Sequence, residues 1–301
     1  MGRHAAEHQP GAVAVRDGTG RDVLGLLLRG TGQILVTLGV VVLLFAVYEV
    51  WVTNIFAEQK QAKVHRVLEQ QWKQGTDLLS LPPEQLQTHA GDGIANLYIP
   101  RLGPDYSYSI VEGSTVPTDA ELTKGPAHYA RTQLPGEAGN FALAGHRVGK
   151  GEPFLNLDKL KPGDPVIVET ASTWFVYCVL GVPDATPCDP TVAGGSLRAA
   201  DPNGVTGQEV VQPTKSSVVW PVPDVEGPTD PLTTSYLTMT TCTPKFSATQ
   251  RLIVHAVLDP AYPQGIAKQR SSSGYSAATP PEIAKLYTLV EGKNAPKRTA
   301  A

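Results

Sequence analysis

The sequence predicts an all-β domain, a barrel or sandwich, carried behind one membrane-spanning helix. Three features point there. Residues 34–52 form an almost unbroken apolar run. After Gly91-Asp92-Gly93 the chain changes to short β-like runs divided by glycine and proline, the pattern of closely spaced strands. Finally, Cys242 ends one such run and Arg251 opens the next. With 301 residues, 41% hydrophobic and 7% aromatic, the chain buries one good core, although its length also allows two domains. A net charge of −3 and the lack of a basic, aromatic-rich stretch leave no electrostatic case for nucleic acid.

The elements follow in order. Residues 1–31 read as a cytoplasmic tail, mixed and aperiodic at its start; its His4 and His8 are expected to be solvated rather than metal-bound. Residues 32–55 hold the anchor. The nineteen residues of the 34–52 run, at about 1.5 Å each, approach the roughly 30 Å of bilayer hydrocarbon. Tyr48 and Trp51 fall where an interfacial aromatic belt sits, which puts Glu49 at the outer boundary. The run starts too late and is too long for a cleaved signal peptide. Arg16, Arg21 and Arg29 precede it closely, so the positive-inside rule favours a cytoplasmic N-terminus and an external C-terminal part.

Residues 56–91 read as a stalk or linker, with Val64, Val67, Leu68 and Trp72 at helical spacing and Leu81-Pro82-Pro83 closing the helix. The domain itself takes residues 92–262. Its expected strands are 95–99, 107–111, 140–144, 166–170, 173–180, 218–222, 235–242 and 251–258, with a short helical turn at 153–160. Residues 181–207 are rich in Pro, Gly, Asp and Ala without a pattern, and residues 263–301 form a polar tail in which 281–289 makes one short helix.

The chemistry centres on Cys242. Residues 243–250 contain a proline and small polar residues and read as a loop between antiparallel strands, which sets a thiol beside a guanidinium. Arginine keeps its proton, so it can hold a thiolate or meet an oxyanion formed when a carbonyl is attacked. A free thiol with a pKa of about 8.5 is only a few per cent thiolate at neutral pH and needs a partner. His128, His146 and His255 are the candidates. His255 lies four residues past Arg251, roughly 13 Å along the strand. His128 sits in a polar, loop-like stretch, and His146 ends an apolar run and enters a glycine-rich loop. The residues alone separate the three only weakly.

The chain has three cysteines. If Cys242 stays free in an oxidising compartment, Cys178 and Cys188 form a candidate disulfide pair, against the alternative of a small buried hydrophobe and a loop thiol. No Cys-x-x-Cys or His-x-x-x-His spacing occurs outside the tail, so neither a metal nor any other cofactor is expected.

Thr240-Thr241-Cys242 followed by Arg251 resembles the signature of sortases, and residues 237–256 look most like class E sortases of actinobacteria. The likeness extends through Gly125-Pro126-Ala127-His128-Tyr129, Leu134-Pro135-Gly136-Glu137-Ala138-Gly139-Asn140-Phe141 and Ala144-Gly145-His146-Arg147, covering most of residues 96–258. It implies a sortase-type β-barrel, with residues 181–207 as an insertion. It also implies a cysteine transpeptidase that cuts a Leu-Ala-x-Thr-Gly-like sorting signal between Thr and Gly and passes the thioacyl product to a peptidoglycan amine. In that scheme Cys242 is the nucleophile, His146 the general acid and Arg251 the oxyanion partner, while Tyr129 and Thr241 contact the sorting peptide. The competing readings are a cysteine peptidase that releases product to water and a surface module that binds peptides without cleaving them. Two residues depart from the pattern: Met239 stands where leucine is usual, and Thr243 where histidine is frequent.

Overall fold

The computed structural model describes residues 19–48, 53–80, 88–181, 203–227, 232–272 and 274–290. The start of the tail, Glu49, Trp51, the Leu81-Pro82-Pro83 stop and most of the expected insertion, with Cys188, lie outside the described residues.

The chain divides into two units, residues 1–49 and 50–301. The first contains helix α1 (Thr19–Val47), which begins well before the apolar run. Its stretch Gly25–Val47 is 23 residues long, about 35 Å at 1.5 Å per residue, long and apolar enough to cross a bilayer.

The second unit starts with helix α2 (Thr53–Lys73) and continues through strands β1 (Gly93–Tyr98), β2 (Ser107–Glu112), β3 (Ala127–His128), β4 (Gly139–Ala144), β5 (Pro165–Glu169), β6 (Thr173–Val179), β7 (Gln208–Val211), β8 (Ser235–Thr243) and β9 (Gln250–Leu258). Short helix α3 (Asp119–Leu122) joins β2 to β3, and β10 (Ile266–Ala267), β11 (Arg270–Ser271), β12 (Gly274–Tyr275) and helix α4 (Pro281–Leu289) follow β9. The sheet runs β6-β5-β1-β2-β3-β4-β8-β9, and a β6–β9 pairing closes it into an eight-stranded barrel. β7 adds to the first half of β9 and β10 to β6. Most pairs are antiparallel, but β2–β3 and β4–β8 are parallel.

Strand period decides which residues fill the barrel. Leu237 and Met239 of β8, Leu252, Val254 and Ala256 of β9, and Phe141 and Leu143 of β4 join Leu97, Ile110, Val166, Val168 and Tyr177 in one buried cluster. Met239 is fully buried there, a near volume-conserving replacement for leucine. Alternate residues face outward, among them Thr240 and Cys242 of β8 and Arg251 and Ile253 of β9.

The structure corrects three expectations. Residues 218–222 are not a strand: Ser216–Val219 forms a 3-10 turn, because Pro221 and Pro223 lack ladder donors and the Asn140 side-chain amide donates instead to the Val218 and Trp220 carbonyls at 3.3 and 2.9 Å. The segment read as a stalk does not stand free of the barrel. Leu68 and Trp72 of α2 are buried with Ala171 and against Tyr275, and Gln61 donates to the Ser109 carbonyl at 3.0 Å. Nor is the polar tail detached. In α4, Ile283, Leu286 and Tyr287 pack on Tyr98, Ile167, Trp174, Val176 and Cys178. Lys268 pairs with the fully buried Glu169 at 2.8 Å, which also accepts from the Tyr98 hydroxyl at 2.7 Å. A buried carboxylate needs such partners, so Lys268 and helix α4 belong to the barrel's packing.

Candidate active site

β8 and β9 pair with Cys242 directly opposite Arg251 and Thr243 opposite Gln250. Because both faces alternate together, the thiol and the guanidinium share the outer surface. β4 runs parallel on the other edge of β8 with Ala144 level with Thr240, which delivers His146, two residues later, beside Cys242. The glycine between is required by packing, since a Cβ on Gly145 would meet the Phe154 ring at 2.5 Å.

A groove of about 680 Å³ is lined by Cys242, His146, Arg251, Tyr129 and Thr241, walled on one side by Val116, Pro117 and Leu122 and on the other by Val218, Val219 and Trp220. A second cavity, about 200 Å³, opens beyond the thiol between His146, Arg147, Cys242, Pro244 and the exposed Phe246. Cys242 is half-buried and is the free cysteine among the described residues. Cys178 is disulfide-bonded.

Arg251 Nη1 donates to the Ala248 and Gln250 carbonyls at 3.0 and 3.1 Å, fixing the guanidinium at the mouth of the β8–β9 loop and leaving Nε and Nη2 for the groove. The Tyr129 hydroxyl lies 3.0 Å from Thr240 Oγ1. Burial raises the Tyr129 phenol, against the Thr240 hydrogen bond and the Arg251 charge. Thr241 is buried on the opposite face of β8 from the thiol, and its hydroxyl donates to the Gly145 carbonyl at 2.8 Å. Its side chain therefore ties the Cys242 strand to the residue before His146.

The other two histidines lie elsewhere. His128 is buried, with Nδ1 3.2 Å from both Glu112 oxygens and Nε2 3.1 Å from the Gln133 carbonyl. His255 is fully buried, its Nδ1 2.8 Å from Thr238 Oγ1. Both serve the packing between strands, and only His146 borders the groove.

Burial lowers the His146 pKa and Lys150 adds to the effect, while Asp119 opposes them. Asp119 Oδ1 is 3.1 Å from His146 Nε2, but off the line that a hydrogen bond needs, so Nε2 is buried without one. Asp119 Oδ2 accepts from Lys150 Nζ at 2.7 Å, and that bond is the main cause holding the carboxyl below its usual range.

Arg147 follows His146 directly in the Ala144-Gly145-His146-Arg147 motif, and the fold gives it a task that the motif does not show. Its side chain is nearly buried and clamps the end of β8: Nη1 donates to the Cys242 carbonyl at 3.3 Å and to Thr243 Oγ1 at 2.6 Å, and Nη2 pairs with Asp158 at 3.0 Å. Thr243, the departure from the pattern, is thus an acceptor for this clamp. Asp119 and Lys150 likewise stand in no motif that assigns them a task. The Thr118-x-x-Glu121 capping box, in which Glu121 accepts from the Thr118 N–H at 2.8 Å, was the available signal for a helix start at Asp119.

The sortase-domain family model matches residues 97–259. Over 258 residues the chain is 34% identical to sortase SrtE1 of Streptomyces coelicolor, covering 84% of this chain and 60% of that protein. Over 236 residues it is 30% identical to sortase SrtE2 of the same organism, covering 74% of this chain and 78% of the relative. The solved SrtF sortase from Corynebacterium diphtheriae superposes with a TM-score of 0.54 at 35% identity, covering 67% of this chain and 97% of that one. With the barrel, the groove and these likenesses together, the chain belongs to the sortase family, on the side of its class E members.

Proposed function

We propose that this protein is a membrane-anchored cysteine transpeptidase with Cys242 as nucleophile, His146 as acid–base and Arg251 as oxyanion partner. The observation that carries the reading is the convergence of these three side chains on one groove, with Cys242 and Arg251 in register on paired strands. The Cys242 thiolate attacks the Thr carbonyl of a Leu-Ala-x-Thr-Gly-like signal, and the Nε and Nη2 donors of Arg251 meet the oxyanion. The tetrahedral species collapses as His146 protonates the departing Gly amine, leaving a thioacyl enzyme. An amine of a peptidoglycan precursor then attacks, His146 takes its proton, and the thiolate leaves. Tyr129 and Thr241, which both line the groove, contact the sorting peptide, and the Thr241 hydroxyl also ties β8 to the Gly145 carbonyl.

The substrates are secreted proteins that carry the signal at their C-terminus. The bilayer holds α1, with the N-terminus cytoplasmic and the barrel outside, a reading supported by the arginines before the apolar run. The Cys178 disulfide is assigned to Cys188, the third cysteine of the sequence.

The test uses the full chain in detergent with Leu-Ala-x-Thr-Gly and Leu-Pro-x-Thr-Gly peptides, with and without an added amine, read by mass spectrometry. Amine-dependent conjugates at Thr support the proposal. Hydrolysis alone in the presence of amine would make the protein a peptidase, and absence of both, with Cys242 inert to a vinyl sulfone, would leave a binding module.

A further inference from the structure

The histidine that borders the groove is connected by polar contacts to the helix following the anchor. His146 Nε2 faces Asp119 of α3 at 3.1 Å, and Asp119 is gripped by Lys150 at 2.7 Å. The backbone of that lysine's loop is fastened to the first turn of α2: Gly151 N donates to Asn54 Oδ1 at 2.9 Å, and Lys150 N to Thr53 Oγ1 at 3.4 Å. The Tyr108 hydroxyl donates to the Gly151 carbonyl at 3.0 Å, and Lys150 holds a left-handed φ of 53°, a conformation that needs such support in a residue with a side chain. His146 and Lys150 thus sit on one loop braced from two sides.

We propose that Asp119, held by Lys150 and through its loop by Thr53 and Asn54 of α2, is the positioning residue that orients the His146 imidazole for proton transfer. The proposal rests on His146 being the acid–base of the transpeptidation above. With the Asp119 carboxylate on the Nε2 side, Nδ1 is the nitrogen left to exchange a proton in the groove, the division of labour that a carboxylate imposes on a catalytic imidazole. The 3.1 Å approach completes into a hydrogen bond with a small ring rotation, as catalytic contacts tighten once substrate is bound. The other charged groups nearby have partners of their own or share the groove: Arg147 is turned to the Cys242 carbonyl, Thr243 and Asp158, Glu152 accepts from Gly149 N, and Arg251 and Cys242 line the same groove as the imidazole. Because Asp119 is 60% exposed, its substitution should spare the fold.

The experiment uses the full chain in detergent with the sorting peptide and an amine, comparing wild type, Asp119→Asn, Lys150→Met and Asn54→Ala. In the Cys242→Ala background, the His146 imidazole is also titrated by NMR. Asp119→Asn should lower kcat roughly 10-fold or more with KM nearly unchanged. It should also move the imidazole pKa down, since a favourable negative charge is lost. Lys150→Met should move that pKa up, since a repelling ammonium is lost, and Asn54→Ala should lower kcat less than Asp119→Asn while leaving KM unchanged. An Asp119→Asn enzyme with wild-type kcat and an unmoved titration would overturn the proposal. So would a fall in kcat matched by a lower Tm with the titration unmoved, which would make the contact merely structural. If the wild type turns over no peptide, the transpeptidase reading fails, and opposite shifts in the two titrations still decide whether Asp119 governs the imidazole.

Discussion

Replacing Arg147 by methionine keeps its aliphatic stem and removes the clamp on the backbone of Cys242. Three interactions are lost: to the Cys242 carbonyl at 3.3 Å, to Thr243 Oγ1 at 2.6 Å and to Asp158 at 3.0 Å. Bonds from a charged donor contribute about 1.5–3 kcal/mol when both partners are enclosed. Asp158, 45% exposed, recovers water, so its pair adds little. Expected destabilisation is about 2–3 kcal/mol, a fall in Tm of roughly 5–10 °C for a barrel of this size. Turnover should suffer more than stability, because freeing the end of β8 lets the thiol drift, and misplacement by 1 Å costs on the order of 100-fold. Arg147→Lys retains charge without the planar fork and should recover less than half of the loss. Thr243→Val removes one acceptor, and the Arg147/Thr243 double mutant should be non-additive by about 1 kcal/mol. Scanning calorimetry and kcat/KM on the same preparations measure both effects. An Arg147→Met protein within about 1 °C of wild type, with turnover within a factor of two, would refute the clamp.

In the same peptide assay Cys242→Ala should abolish cleavage and transfer, and His146→Ala should cost two to four orders of magnitude or so. Arg251→Lys should be severely impaired, because the fork is lost, whereas His255→Ala should lower Tm with only a modest change in turnover. Trp72→Ala removes a side chain buried against Leu68 and Ala171 and the ring beneath Lys268, 4.6 Å away; chemical denaturation should show a loss of about 3–5 kcal/mol. Glu209 lies 3.7 Å from His255 Nε2, short of a formed hydrogen bond, yet attraction to His255 chiefly lowers its pKa to about 2, aided by Lys215 and opposed by burial. Its folded pKa is depressed, so its stabilisation is present above the unfolded value of 4.5 and fades as pH falls toward about 2; Glu209→Gln should flatten Tm against pH in that window. Non-reducing peptide mapping should join Cys178 to Cys188 and leave Cys242 alkylatable; finding all three alkylated would refute the pairing.

Local pattern was enough to determine the strand-rich texture, the long apolar helix and the placing of Cys242 beside Arg251. Those signals are properties of neighbouring residues: period-2 alternation along β8 and β9, a loop with Pro244 between them, and an apolar length matched to a bilayer. Helix α4 lies at Pro281–Leu289, where the sequence placed one short helix. The residues alone separated His128, His146 and His255 only weakly and the resemblance favoured His146; the parallel β4–β8 pairing, between partners remote in sequence, is what sets Ala144 level with Thr240 and so carries residue 146 toward residue 242. Only tertiary structure showed that α2 and the last segment are packed against the barrel, because the groups that hold them are single long-range contacts, Gln61 to Ser109 and Lys268 to Glu169, which leave no periodic trace. Arg147, Asp119 and Lys150 were hidden for a related reason. A charged residue in a loop reads as solvated until the fold supplies a partner, and these three find theirs 96, 27 and 31 residues away, on Thr243, His146 and Asp119.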